Sequence, residues 1–163
     1  MRVIVPYTDL RKETKKALKQ TGYKFETVFV GNSDSDYFDL LSDLWRKGET
    51  FAIVEHDIVV HPTALAELEQ CSSDWCAFPS YYFNSTHVGL GCVKFGSTLI
   101  KAHPYAMDQV GTISDNRHEV KHWCRLDAWL QQRVLPATKR HVHSNVVGHV
   151  RSGSYIKPSH GCC

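Results

Sequence analysis

Apolar residues in this chain keep two rhythms that take turns. Residues 2–7, 25–30 and 51–58 are short apolar runs that read as strands. Between them the spacing turns helical, first over residues 8–20, with Gly22 just past the end. Ser33 and Asp36 stand at capping-box spacing, and Tyr37, Leu40, Leu41, Leu44 and Trp45 then recur on one helical face until Gly48 stops the pattern. Pro62 opens a shorter helix that ends near Gln70. Strands and helices in alternation predict an α/β layer structure with a mainly parallel central sheet.

The second half is less regular. Residues 75–82 and 89–95 read as strands, and 97–102 as a short helix ending before His103 and Pro104. Residues 105–119, which include Gly111, Asp115 and Asn116, read as a mobile surface loop. A helix over 120–135 stops at Pro136, and residues 141–150 alternate like a strand. The expectation is one minimal domain over residues 1–150 and a loosely packed polar tail over 151–163. A chain of 163 residues with 42% hydrophobic content can bury one core. No run approaches membrane-spanning length and the apolar start is too short for a signal peptide, so a soluble, cytoplasmic protein without membrane contact is expected. Six cysteines scattered through core-forming elements fit free thiols in a reducing compartment. A net charge of +2 is too small to argue for nucleic acid.

Candidate chemistry gathers at three places. The strongly apolar run from Phe51 to His61 carries Glu55, His56, Asp57 and His61. In an extended strand Glu55 and Asp57 share a face, roughly 6–7 Å apart. Two like charges beside an apolar core need a compensating cation, donors or solvent, and hard oxygen ligands suit Mg²⁺ or Mn²⁺. The alternative is a strand that ends at Val54 and releases both acids into a solvated turn. On the helix over 120–135, Asp127 lies about 40° from Trp123 on the inward stripe shared with Leu130 and Val134. A carboxylate there is either paired with Arg125, Arg133 or a backbone donor, or held at a cleft as a general base. Finally, alternation places His141, His143, Asn145, Val147 and His149 on one strand face. Of these imidazoles His149 is the candidate ligand, because Gly148 allows close backbone approach. A zinc site from Cys71 and Cys76 with His87 or Cys92 is the weaker option, since its spacing matches no compact finger.

In this order, these segments resemble small GT-A fold glycosyltransferases, particularly the family 2-like ones, over about residues 2 to 150. The matching pieces are Val5-Pro6-Tyr7-Thr8 at the end of the first strand, the turn Gly31-Asn-Ser-Asp34, and Ile53-Val-Glu-His-Asp-Ile58 in place of the family's Asp-x-Asp motif. Trp123-Cys-Arg-Leu-Asp127 stands where the family has its catalytic-base helix, and Val146-Val-Gly-His149 where it often has a late metal-binding histidine. Glu55 replaces the motif's first aspartate, and Leu126-Asp127 replaces the usual Glu-Asp pair.

The resemblance implies a three-layer α/β/α, GT-A-like fold and a nucleoside diphosphate sugar, UDP-sugar foremost, bound across the ends of the first strands. Pro6, Tyr7, Thr8, Asn32, Ser33, Asp34, Glu55 and His56 would meet that donor. Asp57 and His149 would hold Mn²⁺ or Mg²⁺ on its diphosphate, with Glu55 ligating through water or bonding the ribose. Asp127 would deprotonate the acceptor hydroxyl, with inversion at the anomeric carbon, and Trp123, His122 and Tyr105 would line the acceptor side. The acceptor stays open: Lys12, Lys15, Lys16 and Lys19 form one basic helical stripe, which is either a solvated face or a phosphate track. The latter would suit a viral-type enzyme acting on a hydroxymethylated pyrimidine in DNA. A non-catalytic module that binds a metal or sugar nucleotide is the alternative outside enzymes.

Overall fold

The computed structural model describes residues 1–82, 85–135 and 138–150. The first half of the chain runs β1 (Arg2–Tyr7), α1 (Lys12–Gln20), β2 (Glu26–Phe29), α2 (Asp36–Arg46), β3 (Phe51–Val54), β4 (Ile58–Val59) and α3 (Ala64–Gln70). It continues through β5 (Trp75–Ala77), β6 (Ser80–Tyr82), β7 (Ser85–His87), β8 (Cys92–Phe95), α4 (Ser97–Ala102) and α5 (Ala106–Val110). A 3₁₀ turn (Trp123–Arg125), α6 (Leu126–Trp129), a π-helical turn (Leu130–Val134), β9 (His141–Val142) and β10 (Gly148–His149) complete it.

Six strands form the central sheet in the order β2-β1-β3-β8-β5-β9. Pairing is parallel except on the two sides of β8, so β8 alone among the six runs against the others. The continuous apolar runs of β1 and β3 follow from burial on both faces. Ile4, Phe51, Ile53, Trp75, Val93 and Phe95 face a core shared with α2, α4, α5 and α6. Val3, Val5, Ala52, Val54, Cys76 and Cys92 face the opposite core, closed by Ala17 and Leu18 of α1 and Leu65 and Leu68 of α3. The architecture is therefore a mixed α/β structure with helices on both faces of a mostly parallel sheet. Among the described residues no helix is long and apolar enough to cross a membrane, and Cys71, Cys76 and Cys92 are free thiols. The tail over 151–163 lies outside the described residues.

Several expectations change. The strand over 75–82 is split into β5 on the central sheet and β6 paired with β7, and the strand over 89–95 begins only at Cys92. Helix α1 starts at Lys12 instead of residue 8, because the Arg11 N–H donates to the His56 carbonyl and holds the preceding turn open. The strand over 51–58 ends at Val54: Glu55 N–H donates to Gly91 O at 2.9 Å, Ile58 N–H donates back to Glu55 O at 3.1 Å, and the chain turns. The expected loop over 105–119 contains α5, whose Ala106, Met107 and Val110 are buried. The expected helix over 120–135 is broken into 3₁₀, α and π segments after Lys121, which has φ 66°. Each segment turns by a different angle per residue, so the constant-angle stripe dissolves and Trp123 is 48% exposed. The expected strand over 141–150 is two short ones, β9 on the central sheet and β10 antiparallel to β4. His141 and His143 are thereby separated from His149.

Candidate functional site

The parallel pairing of β1 with β3 brings the turn after Tyr7 beside the turn after Val54 at the carboxyl end of these strands. Arg11 N–H donates to His56 O at 3.1 Å and ties the two turns together. Within them, Pro6 is buried in the sheet opposite Val28, whereas Tyr7 is partly open, with its ring edge-on to Phe29 at 5.6 Å, and Thr8 is exposed.

Neither acid of the second turn is released to solvent. Glu55 Oε1 accepts from the Tyr37 hydroxyl at 3.1 Å, and Tyr37 is buried in α2. Burial pushes the Glu55 carboxyl up to about 8, with further repulsion from Asp57 and Asp127 and partial relief from Tyr37. Asp57 Oδ2 lies 3.3 Å from His149 Nε2. That contact is delivered by tertiary pairing: β10 places His149 opposite Ile58, and Val150 N–H donates to Asp57 O at 2.7 Å. Burial also lowers the proton affinity of His56, whose ring feels Asp57, Arg11 and His149.

Asp127 lies near enough to Glu55 to repel its charge. Burial raises the pKa of Asp127, opposed by the Ala128 N–H, Arg140 and Arg125. Its Oδ2 occupies the space above Gly89, where an added Cβ would lie only 2.8 Å away. A Cβ on Gly91 would lie 3.8 Å from Glu55 Oε2. Arg140 is held behind Asp127 by donating Nη2 to Val88 O at 2.9 Å, with its guanidinium 5.5 Å from the Trp75 ring. Tyr37, Gly89, Gly91 and Arg140 were not among the residues expected from the sequence. Tyr37 reads there as core and the glycines as strand, so only Gly-x-Gly in an apolar run hinted at close approach.

On the flank, Asp34 joins the expected donor turn to the expected acceptor residues. Its carbonyl accepts from Trp123 N–H at 3.1 Å, and its carboxylate lies 3.6 Å from His122 Nε2. His122 stacks on Trp123 at 5.8 Å. Asn32 N–H and the Ser33 hydroxyl both donate to Asp36, so the turn is shaped by Asp36 reaching backward from the start of α2. Asp115 anchors the other side of this flank: the Arg117 N–H, then His118, pull it down to about 2, and Arg125 pairs with it at 3.1 Å. Tyr105 lies elsewhere, in a shallow depression with Ala102, Pro104, Gln109 and Val134 that no other expected site residue lines.

The carboxylates and His149 have the donor chemistry for a hard divalent cation, and Glu55 is raised first by burial and then by the neighbouring charge of Asp57. Asp57 and His149 are in place as a pair, while Glu55 is engaged by Tyr37. A compact trio of potential ligand atoms, within 4.8 Å of one another, is found instead at Cys71, His141 and His143. The weaker zinc option is thus redrawn: Cys76 is fully buried with its thiol toward Leu68 O, Cys92 is fully buried, and the side chain of His87 lies outside the described ones.

No protein-family model matches the chain, and no curated protein matches it in sequence. Solved structures match in fold. A glycosyltransferase involved in the glycosylation of the major capsid of PBCV-1 is similar over 93% of this chain and 94% of its own, with a TM-score of 0.58 at 11% identity. A197 from STIV is similar over 93% of this chain and 87% of its own, with a TM-score of 0.61 at 11% identity. At that identity the likeness establishes the fold: a layered α/β structure that a glycosyltransferase also adopts.

Proposed function

We propose that the chain is a GT-A-like glycosyltransferase that moves a sugar from a nucleoside diphosphate sugar to an acceptor hydroxyl. The observation that carries this reading is the convergence of Glu55, the Asp57–His149 pair and Asp127 beside the ends of β1 and β3. Open α/β sheets bind ligands in the crevice outside the carboxyl ends of their strands. A fold shared with a glycosyltransferase supports the same choice.

In this proposal Tyr7, Thr8 and the Asn32–Asp34 turn receive the nucleoside, and Asp57 with His149 holds Mn²⁺ or Mg²⁺. When bound, the ion stabilises negative charge on the departing diphosphate. Glu55, fixed by Tyr37, presents its second oxygen to the ribose or to a bridging water. Asp127 takes the proton of the acceptor hydroxyl as that oxygen bonds the anomeric carbon and the bond to the diphosphate breaks. Burial favours this role, because it makes the carboxylate a stronger base than a solvated aspartate. Attack from the face opposite the leaving group inverts the anomeric centre. Trp123 and His122 offer stacking surface to the acceptor, a position Tyr105 does not share.

The test pairs binding with turnover. Asp57→Asn should weaken Mn²⁺-linked UDP binding by about 100-fold, since it removes an anionic ligand without changing volume. His149→Ala should weaken it less, because water can replace one neutral ligand. Asp127→Asn should keep donor binding while transfer falls by roughly 10²–10⁴-fold. Transfer is read by mass spectrometry against protein, glycan and hydroxymethylated-DNA acceptors. Unchanged Mn²⁺-linked binding in Asp57→Asn sinks the site, and Mn²⁺-linked binding with no transfer to any acceptor favours the non-catalytic module.

A further inference from the structure

A second donor cluster lies at the β9 edge of the central sheet. β9 is the edge strand, pairing with β5 over only Cys76↔His141 and Ala77↔Val142. His143 N–H then donates to Ala77 O at 3.0 Å, so the strand direction is kept one residue further. Two-residue alternation puts the His141 and His143 rings on one side, with centroids 5.0 Å apart. Cys71, immediately after α3, brings its sulfur to the same side, and all three ligand atoms lie within 4.8 Å of one another.

We propose that Cys71, His141 and His143 form a zinc site that clips edge strand β9 to the end of α3. One thiolate and two imidazoles are a borderline-soft donor set, suited to Zn²⁺ and poorly suited to Mg²⁺ or Mn²⁺. Tetrahedral bonds of ~2.0–2.3 Å imply ligand separations of about 3.3–3.6 Å, so the cluster must close by roughly an ångström. His141 is exposed and can swing in, while Cys71 and His143 are half-buried and already placed. The His143 ring is stacked on Phe78 at 4.2 Å, and its buried Nε2 has no hydrogen-bond partner among the described residues. An orphaned, sterically fixed imidazole nitrogen is the state a ligand resolves. Nearby, the buried Lys94 donates Nζ to Cys71 O at 2.6 Å, and a thiolate at Cys71 balances part of the charge of both the ammonium and the zinc. Three protein ligands leave a fourth position for water.

The consequence reaches the acidic site without depending on its assignment. From His143 the chain runs through Val147, whose N–H donates to Pro79 O at 2.9 Å, to β10 and His149. A clip at β9 therefore restrains the arm that delivers His149 to Asp57.

The experiment titrates the metal-free full chain with Zn²⁺ against a chromophoric chelator, and with Co²⁺ as a spectroscopic probe. One equivalent of zinc should bind, and at about 100 Kd of free zinc the melting temperature should rise by roughly 5–10 °C. Cobalt should show a thiolate-to-metal charge-transfer band. His141→Ala, an exposed position whose loss leaves the apo circular dichroism unchanged, should weaken zinc by about 100-fold, as should Cys71→Ser. Asp57→Asn should change zinc affinity by less than about 3-fold. Wild-type zinc affinity in His141→Ala, a cobalt spectrum without the thiolate band, or loss of zinc in Asp57→Asn would each overturn the proposal.

Discussion

A methyl group at position 89 would stand 2.8 Å from Asp127 Oδ2, closer than real Cβ contacts come. Gly89→Ala therefore tests Asp127 without touching its chemistry. The carboxylate must rotate or retreat, and displacement of a reacting group by about 1 Å costs on the order of 10²-fold. Donor binding should persist with kcat reduced by about that factor, read as a kcat against Kd split. Unaltered kcat would detach Asp127 from the reaction. The same scale explains why Glu55 survives in an apolar setting. Tyr37 satisfies one of its oxygens by donating its hydroxyl at 3.1 Å.

Among the elements, α5 separates pattern from context most clearly. Its five residues are too few to fold alone, and its stability comes from packing Ala106, Met107 and Val110 into the core shared with α2 and α6. Met107→Ala should cost about 2–5 kcal/mol in urea unfolding, the range for truncating a buried side chain. A cost below about 0.5 kcal/mol would be that of an exposed surface position. The broken helix over 120–135 makes a related point. The 3₁₀ turn aims His122 and Trp123 toward Asp34, whereas a continuous helix would bury Trp123 on the inward stripe.

At the level of the whole molecule, the acidic cleft makes the fold sensitive to pH. Glu55 moves from the ordinary 4.5 to about 8 on folding, so the native state holds a proton that the unfolded chain has released between those values. Its favourable contribution is fully present below pH 4.5 and is lost as pH rises toward about 8. Asp127, also raised, acts in the same direction. Metal-free wild type should therefore lose melting temperature from pH 5 to 8, and Glu55→Gln should flatten that decline. Mn²⁺ should restore stability to the wild type at the upper end, by binding the ionised form. Parallel slopes for wild type and Glu55→Gln would show that the carboxyl ionises without strain.

What the amino-acid sequence determined by itself is the layered architecture. Val3-Ile4-Val5 and Phe51-Ala-Ile-Val54 are apolar at every position because both sheet faces are covered, and the helical spacing from Tyr37 to Trp45 marks one of the covers. Local chemistry also singled out Glu55, Asp57, Asp127 and His149, since acids and an imidazole in or beside apolar runs are costly. Only the tertiary structure decided which of them meet. The strand break at Val54 depends on Gly91, a residue of another strand's approach, and the Asp57–His149 contact depends on β10 pairing with β4 across about ninety residues of chain. His141 and His143 share the alternation that includes His149, yet they fall at the β9 edge of the central sheet beside Cys71, because β9 and β10 belong to different sheets. Periodicity reports which face a residue takes within one element; the pairing partner, chosen by burial and long-range hydrogen bonding, determines which neighbours that face receives.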